Sequence, residues 1–176
     1  MVYKNLEVKK KDKVCYVKFN RPGSLNALNS DLLVEITNFS NDLTNDLETR
    51  VIIFTGKGEN FSAGADLQEK IKYSSKMHAW RRNIGKPAIK SILDIPQITI
   101  AAVNGYCLGG AACIASACDF RIGASNSKRE DWDPLNPEDI NTLIDSSNTF
   151  SQWRVYRGSI NMFYDINAYN SIMSDI

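Results

Sequence analysis

The sequence predicts an α/β fold with a mostly parallel sheet, preceded by an antiparallel hairpin. A strand, helix, strand order between Val14 and Phe54 has the spacing of a βαβ crossover unit. The order repeats between Ile98 and Ile122, where a buried strand, a small-residue helix and a short strand follow one another. The 176 residues, 43% of them hydrophobic, suit a single domain with a substantial core.

Two short strands are predicted first, Tyr3 to Val8 and Val14 to Phe19, with the charged turn Lys9 to Lys13 between them. A helix is predicted to open at Ser30-Asp31, because apolar residues recur after it at steps of three and four. These residues are Leu32, Ile36, Phe39, Leu43 and Leu47. Val51 to Phe54 then returns to the sheet, and ligands of such units lie near the carboxyl ends of strands.

A long helical region is predicted from Asp66 to Leu93. It should be interrupted near Gly85-Lys86-Pro87, because proline removes a helix hydrogen bond and disfavours helix in the preceding residue. Its core-facing candidates are Trp80, Ile84, Ile89, Ile92 and Leu93. His78, the only histidine, is expected to be exposed rather than catalytic.

Two glycine-marked turns each lead into a helix. After the strand Ile98 to Val103, Gly109-Gly110 has no side chain to block the first unpaired N–H groups of the next helix. In the other turn, Asp66 and Glu69 have the spacing of a capping pair, which places Ala65 where a loop enters a helix. Two such turns can aim one N–H each at a single oxygen, as in an oxyanion hole. The structural alternative is that the glycines only let helices pack closely on strands.

Five blocks, in this order, carry a resemblance. They are Asn20-Arg21-Pro22 with Leu25-Asn26-Ala27-Leu28, Val51-Ile52-Ile53-Phe54-Thr55-Gly56, Phe61-Ser62-Ala63-Gly64-Ala65-Asp66-Leu67, Ala102-Val103-Asn104-Gly105-Tyr106-Cys107-Leu108-Gly109-Gly110 and Cys118-Asp119-Phe120-Arg121-Ile122. From about Tyr3 to Ala124 the chain resembles the crotonase superfamily, the enoyl-CoA hydratases, isomerases and their relatives. The resemblance implies the crotonase-like spiral of ββα repeats.

The resemblance also implies a site. The N–H groups at Ala65 and Gly110 would hold the oxygen of an acyl-CoA thioester, with coenzyme A as part of the substrate and no separate cofactor. Six residues are predicted to line the approach: Ala27, Ala63, Asp66, Leu67, Tyr106 and Leu108. A basic cluster would either meet the phosphates of coenzyme A or form a solvated face. Its members are Lys70, Lys72, Lys76, Arg81 and Arg82.

The acid and base of the reaction are not secured by the sequence. Hydratases of the superfamily use two glutamates for general acid–base work. The first aligns here with Cys113, which is interpreted as a buried packing residue, and the second falls by residue count at Asp133. Two hypotheses follow: an enzyme of the hydratase or isomerase type, or a catalytically silent homologue that binds acyl-CoA or a full-length relative. With Cys113 in place of the first glutamate, isomerisation by a single acid/base is at least as plausible as hydration.

Composition narrows the partners and the compartment. A net charge of +1 gives no global basic field, so neither nucleic acid nor a membrane is expected as a partner. The cysteines, Cys15, Cys107, Cys113 and Cys118, lack C-x-x-C spacing and are expected to be reduced core residues without a metal.

Ile98 to Cys118 could match a bilayer in length, but its glycine breaks favour a buried strand and helix. Since the N-terminus lacks the apolar core of a secretory signal, a cytoplasmic protein is expected.

The resemblance implies a crotonase-like, acyl-CoA-binding core over residues 1–124, and residues 125–176 are predicted to be a divergent, weakly patterned tail. Only Asn136-Pro137-Glu138-Asp139 reads as a helix start there. Three origins of this tail remain open: a natural truncation, a divergent end and an altered reading frame. Superfamily members assemble into trimers through C-terminal helices that are not recognisable here. Because apolar surface would then remain uncovered, a weakly stable homo-oligomer or poor solubility is expected by light scattering.

Overall fold

A six-stranded sheet runs through the computed structural model, which describes residues 2–72, 76–124, 127 and 162–163. The strands lie in chain order across the sheet. They are β1 (Leu6–Lys11), β2 (Val14–Phe19), β3 (Val51–Gly56), β4 (Ile98–Val103), β5 (Phe120–Gly123) and β6 (Met162–Phe163). Only β1 and β2 are antiparallel, and every other neighbouring pair is parallel. This confirms the predicted hairpin and the mostly parallel sheet.

The hairpin turn is shorter than predicted. β1 continues to Lys11, which pairs with Val14, so only Asp12 and Lys13 make the turn. Asp12 takes a positive φ of 52°, a conformation that Asp tolerates better than most residues. Charge does not end a strand at a sheet edge, because lysine side chains can extend into water while the backbone stays paired.

Five helices are described, mostly on one face of the sheet. They are α1 (Ser30–Asp42), α2 (Leu67–Lys72), α3 (Met77–Trp80), α4 (Lys86–Leu93) and α5 (Gly110–Ala117). Asn29 is the N-cap of α1, and its side chain accepts a hydrogen bond from the Leu32 N–H at 3.0 Å. The expectation that Leu47 extends the apolar face of α1 is wrong. A 3-10 turn over Leu43–Asn45 ends the helix, and Leu47 is 81% exposed.

Between α3 and α4 the helical path does not stop at the predicted interruption. Arg81–Gly85 forms a π-helical segment, and Gly85 itself keeps helical angles. Pro87 is the second residue of α4, a position at which helices accept proline. The proline therefore does not end the helical path. Trp80, Gly85 and Ile89 from this run all reach the cavity described below.

Strands β3 and β4 are buried on both faces along most of their length, which explains their unbroken apolar runs. The helix face carries the main core, in which Val17, Phe54 and Val103 are almost fully buried. Tyr16 and Ile53 lie in a smaller cluster on the other face. The carboxyl ends of β3 and β4 therefore open toward the helices, next to the glycine-marked turns.

Candidate functional site

Two buried asparagines fix the loop between β3 and α2. The Asn104 side chain accepts from the Gly56 N–H at 3.2 Å and donates to the carbonyl oxygens of Gly56 and Gly58 at 3.1 and 2.8 Å. Asn26, which is fully buried, donates to the carbonyl oxygens of Lys57 and Asn60 at 3.0 and 2.6 Å. Both asparagines stand in the sequence blocks that carry the resemblance, but the sequence did not predict this role for them. Buried amides of this kind satisfy backbone groups that would otherwise be costly to bury.

Ala65 lies in a parallel bridge with Leu28. The Leu28 N–H donates to the Gly64 carbonyl at 2.7 Å, and the Asp66 N–H donates to the Leu28 carbonyl at 3.1 Å. In such a bridge the two residues that flank Ala65 make the hydrogen bonds, so the Ala65 N–H is directed away from Leu28. Two residues later α2 begins, which confirms that Ala65 sits where a loop enters a helix.

Gly110 is the first residue of α5, and Gly109 is its N-cap with a positive φ of 49°. The Gly110 N–H is therefore one of the donors that a helix leaves unpaired. Among the described residues, neither this N–H nor that of Ala65 donates a hydrogen bond. The two groups lie close together: a Cβ added to Gly110 would lie 3.9 Å from the Ala65 nitrogen, and one added to Gly64 would lie 3.4 Å from the Gly110 nitrogen.

A cavity of about 620 Å³ opens beside these two turns. Its volume falls within the range of small-molecule sites, and most of its wall is apolar. The lining residues are Leu28, Leu33, Ala65, Asp66, Glu69, Lys70, Trp80, Gly85, Lys86, Ile89, Gly109, Gly110, Cys113 and Ile114. The cavity thus brings together Ala65 and Gly110, the two residues predicted as backbone donors.

Cys113 corrects the sequence interpretation. It was expected to pack in the core, yet it is exposed and lines the cavity, one turn beyond Gly110. Ile114 and Ala115 on the same helix take the buried positions instead. A run of small residues does not show which face of its helix is open, and this is why the pattern misled. Cys15, Cys107 and Cys118 are buried as expected, and burial raises the pKa of the Cys118 thiol to about 12.

Two carboxylates also line the cavity, and both are engaged. Asp66 Oδ1 accepts from the N–H groups of Gln68 and Glu69, which makes Asp66 the cap of α2, and Oδ2 pairs with Arg21 at 3.0 Å. Glu69 does not complete the predicted reciprocal cap. Its Oε2 accepts from the Ser30 N–H at 2.7 Å and so caps α1. The spacing of Asp66 and Glu69 indicated a helix start but not that Glu69 reaches another helix.

The other predicted site residues lie around the cavity rather than in its wall. Ala27, Ala63, Leu67, Tyr106 and Leu108 are not among its lining residues, and Leu67 is 66% exposed. From the basic cluster Lys70 lines the cavity, whereas Lys72, Lys76 and Arg82 are exposed elsewhere. Lys86 joins it without having been predicted. Asp133, the side chains of His78 and Arg81, and the helix start at Asn136 lie outside the described residues.

Acid unfolding tests the Asp66 contacts. Although partial burial opposes it, hydrogen bonds from the Glu69 N–H and from Arg21 hold the pKa of Asp66 below its ordinary 3.8. Because the folded-state pKa is lowered, this stabilisation is fully present above the unfolded pKa and is lost as pH falls through the folded one. We expect Asp66→Asn to flatten the loss of unfolding free energy below about pH 4, measured by urea denaturation.

The matched control is Asp12→Asn in the exposed hairpin turn, where asparagine also tolerates the positive φ. Acid sensitivity from other carboxylates remains in both variants; Asp46, for example, has its pKa lowered by Lys10 and Thr49. The difference between the two variants therefore isolates Asp66. Equal slopes in both would show that the contacts of the ionised Asp66 carboxylate do not stabilise the fold.

The site combines a parallel sheet with two loop-to-helix turns that converge on an apolar cavity, the arrangement of a small-ligand-binding α/β protein. Residues 9–131 match the enoyl-CoA hydratase/isomerase family. The chain is 37% identical over 129 residues to the crotonyl-CoA hydratase of Syntrophomonas wolfei, covering 73% of this chain and 50% of that protein. It is 39% identical over 129 residues to the short-chain-enoyl-CoA hydratase of Clostridium acetobutylicum, covering 73% and 49%.

Solved structures agree on the fold. An enoyl-CoA hydratase from Bacillus anthracis superposes with a TM-score of 0.75 at 25% identity, over 98% of this chain and 74% of that one. An enoyl-CoA hydratase/isomerase from Xanthobacter autotrophicus superposes with a TM-score of 0.73 at 22% identity, over 99% and 72%. The chain belongs to the enoyl-CoA hydratase/isomerase family, in the crotonase superfamily, and its fold is crotonase-like. It spans about half the length of the two curated relatives.

No helix within the described ranges, residues 2–72 and 76–124, is long and apolar enough to cross a bilayer. Ile98 to Cys118 is divided into strand β4, the turn near Gly105 and helix α5. This division confirms the interpretation of that segment as a buried strand and helix.

Proposed function

We propose that the chain binds an acyl-CoA thioester in the cavity and stabilises its enolate through the N–H groups of Ala65 and Gly110. One observation carries the proposal: two backbone donors without an acceptor among the described residues border one apolar cavity. Buried or half-buried N–H groups are normally paired, so two open donors near one point favour a ligand oxygen as the missing partner. Coenzyme A enters as part of the substrate, and the chemistry needs no separate cofactor.

The chemistry follows from the charge that such donors stabilise. Removing a proton beside a thioester carbonyl, or adding a nucleophile to its conjugated double bond, moves negative charge onto the carbonyl oxygen. Donors already in place lower the energy of that anion more than the energy of the neutral carbonyl, and this difference accelerates the reaction. The partial positive charge at the start of α5 acts in the same direction.

The two ends of the ligand need different surroundings. Leu28, Leu33 and Ile114 offer apolar contact to the acyl group, and burial of each methylene there is favourable. Lys70 is exposed at the cavity and suits the phosphates of coenzyme A as a mobile cation.

Which proton chemistry occurs depends on the groups around the bound enolate. Cys113 lies where the superfamily resemblance implies a glutamate, and Asp66 and Glu69 are both held in hydrogen bonds. Because Cys113 replaces the first of two glutamates, at most one acid/base would remain. Isomerisation by a single acid/base is then at least as plausible as hydration. The thiol at this position also favours the second candidate, a silent homologue that binds acyl-CoA or a full-length relative.

Binding and turnover of crotonyl-CoA separate these functions. We expect calorimetry to show binding, because it requires only the cavity and the two donors. Turnover, followed by the loss of ultraviolet absorbance of the enoyl thioester, identifies an enzyme. Binding without turnover identifies the silent homologue. Absence of binding to the folded chain would contradict the proposal itself.

The position of Cys113 supplies a direct test of the missing base. Cys113→Glu is expected to raise hydration at least about tenfold, since a positioned general base is typically worth 10²–10⁴-fold. Cys113→Ala is the matched control, because it removes the thiol without adding a carboxylate. Equal rates in both variants, with binding retained, would show that residue 113 does not reach the reacting atoms.

A further inference from the structure

We propose that Trp80 closes the acyl end of the cavity and so limits the length of the acyl group that the site accepts. The inference rests on the proposed acyl-CoA function and deepens it, because it names the substrate class by chain length. Trp80 is the largest side chain of the cavity wall.

The indole of Trp80 is held in one position. Its Nε1–H donates to Ser30 Oγ at 2.7 Å, and the ring is half-buried against the main core. A Cβ added to Gly85 would lie 3.5 Å from ring atom Cζ3, so the backbone of the following turn runs beside the ring. An aromatic ring fixed by a hydrogen bond and by packing forms a rigid wall, whereas a free long side chain would move aside.

Ser30 connects this wall to the rest of the site. Its backbone N–H donates to Glu69 Oε2 at 2.7 Å, while its hydroxyl accepts from Trp80. Helices α1, α2 and α3 thus meet at one residue beside the cavity. Ser30 does not line the cavity, so we assign it as a positioning residue that acts through Trp80.

The direction of the ligand places Trp80 at the acyl end. With the thioester oxygen at Ala65 and Gly110, the charged coenzyme A part must leave through the open side, because phosphates are costly to bury. The acyl chain then extends along the apolar part of the wall, where Ile89 and Trp80 lie. Close-packed protein does not yield to an added methylene without strain, so a rigid ring sets a length limit.

The test compares the affinities of butyryl-CoA and octanoyl-CoA by calorimetry, since saturated thioesters bind without needing turnover. In the wild-type chain we expect the affinity to stop rising between these lengths. In Trp80→Ala each newly buried methylene adds about fourfold, so the ratio of octanoyl to butyryl affinity should rise at least about tenfold. Ser30→Ala removes the hydrogen bond to the indole but keeps the ring. It should therefore give a smaller rise in the ratio of octanoyl to butyryl affinity.

Phe120→Ala is the control, because it truncates an aromatic residue that is 39% exposed and does not line the cavity. Trp80→Leu serves if the alanine variant fails to fold, since it keeps core contact and shortens the wall. An unchanged ratio in a folded Trp80 variant overturns the inference, and so does an equal loss for both ligands. Failure of the wild-type chain to bind either ligand overturns the proposed function and, with it, this inference.

Discussion

Replacing Gly110 with proline is expected to lower kcat by 10²–10³-fold if the chain turns over crotonyl-CoA. The substitution deletes the Gly110 N–H, and loss of one oxyanion donor typically costs about 3 kcal/mol in the transition state. Gly110 is the first residue of α5, a position at which helices accept proline, so the fold should survive. Steady-state kinetics gives the loss in kcat, and circular dichroism verifies the helix content.

Gly110→Ala separates donor loss from crowding. It keeps the N–H, but its methyl group would lie 3.3 Å from Leu28 Cδ1, so only a modest loss is expected. If the wild-type chain binds without turnover, the C=O stretch of the bound thioester replaces kcat as the readout. The proline variant should shift that frequency toward its value in water. A folded proline variant that keeps full activity or full carbonyl polarisation would refute the role of this donor.

Gly64→Ala is expected to destabilise the fold by about 3–4 kcal/mol, the largest stability effect among these substitutions. Gly64 has a φ of +84°, which strains any residue with a side chain. Its new methyl group would also lie 2.4 Å from the Leu108 carbonyl oxygen, a backbone atom that cannot rotate away. The two loops that carry Ala65 and Gly110 would have to separate. Urea denaturation measures the loss.

Gly23→Ala is the matched control for this substitution. A Cβ at Gly23 meets nothing within 4 Å, and its φ does not lie in the left-handed range. We expect it to change the unfolding free energy by less than about 0.5 kcal/mol. Comparable losses in both variants would mean that the close approach of the two loops does not contribute to stability.

The elements of the sheet were predictable because their signals are local. Apolar runs predicted β3 and β4, and apolar residues at steps of three and four predicted α1. Leu47 kept that period but lies beyond a 3-10 turn that the pattern did not reveal. Pro87 was interpreted as an interruption, although its place in the first turn of α4 makes it compatible with helix.

The site was predictable where backbone conformation is encoded by glycine, and less so where long-range contacts decide. Gly64 and Gly110 marked the two turns, and the structure places these turns together. Glu69 and Trp80 were not predicted as cavity residues, because both depend on Ser30, which lies 39 and 50 positions away in the chain. The exposure of Cys113 likewise depends on which face of α5 the other helices leave uncovered.

The asparagine clamps bear on the energetics and timing of binding. Asn26 and Asn104 hold the loop that leads to Ala65 through backbone hydrogen bonds within the protein alone. Under the proposed function, a thioester would therefore meet a donor that is already oriented, and less conformational entropy would be lost in ordering this loop on association. We therefore expect the rate of thioester binding to follow diffusion and desolvation instead of loop closure.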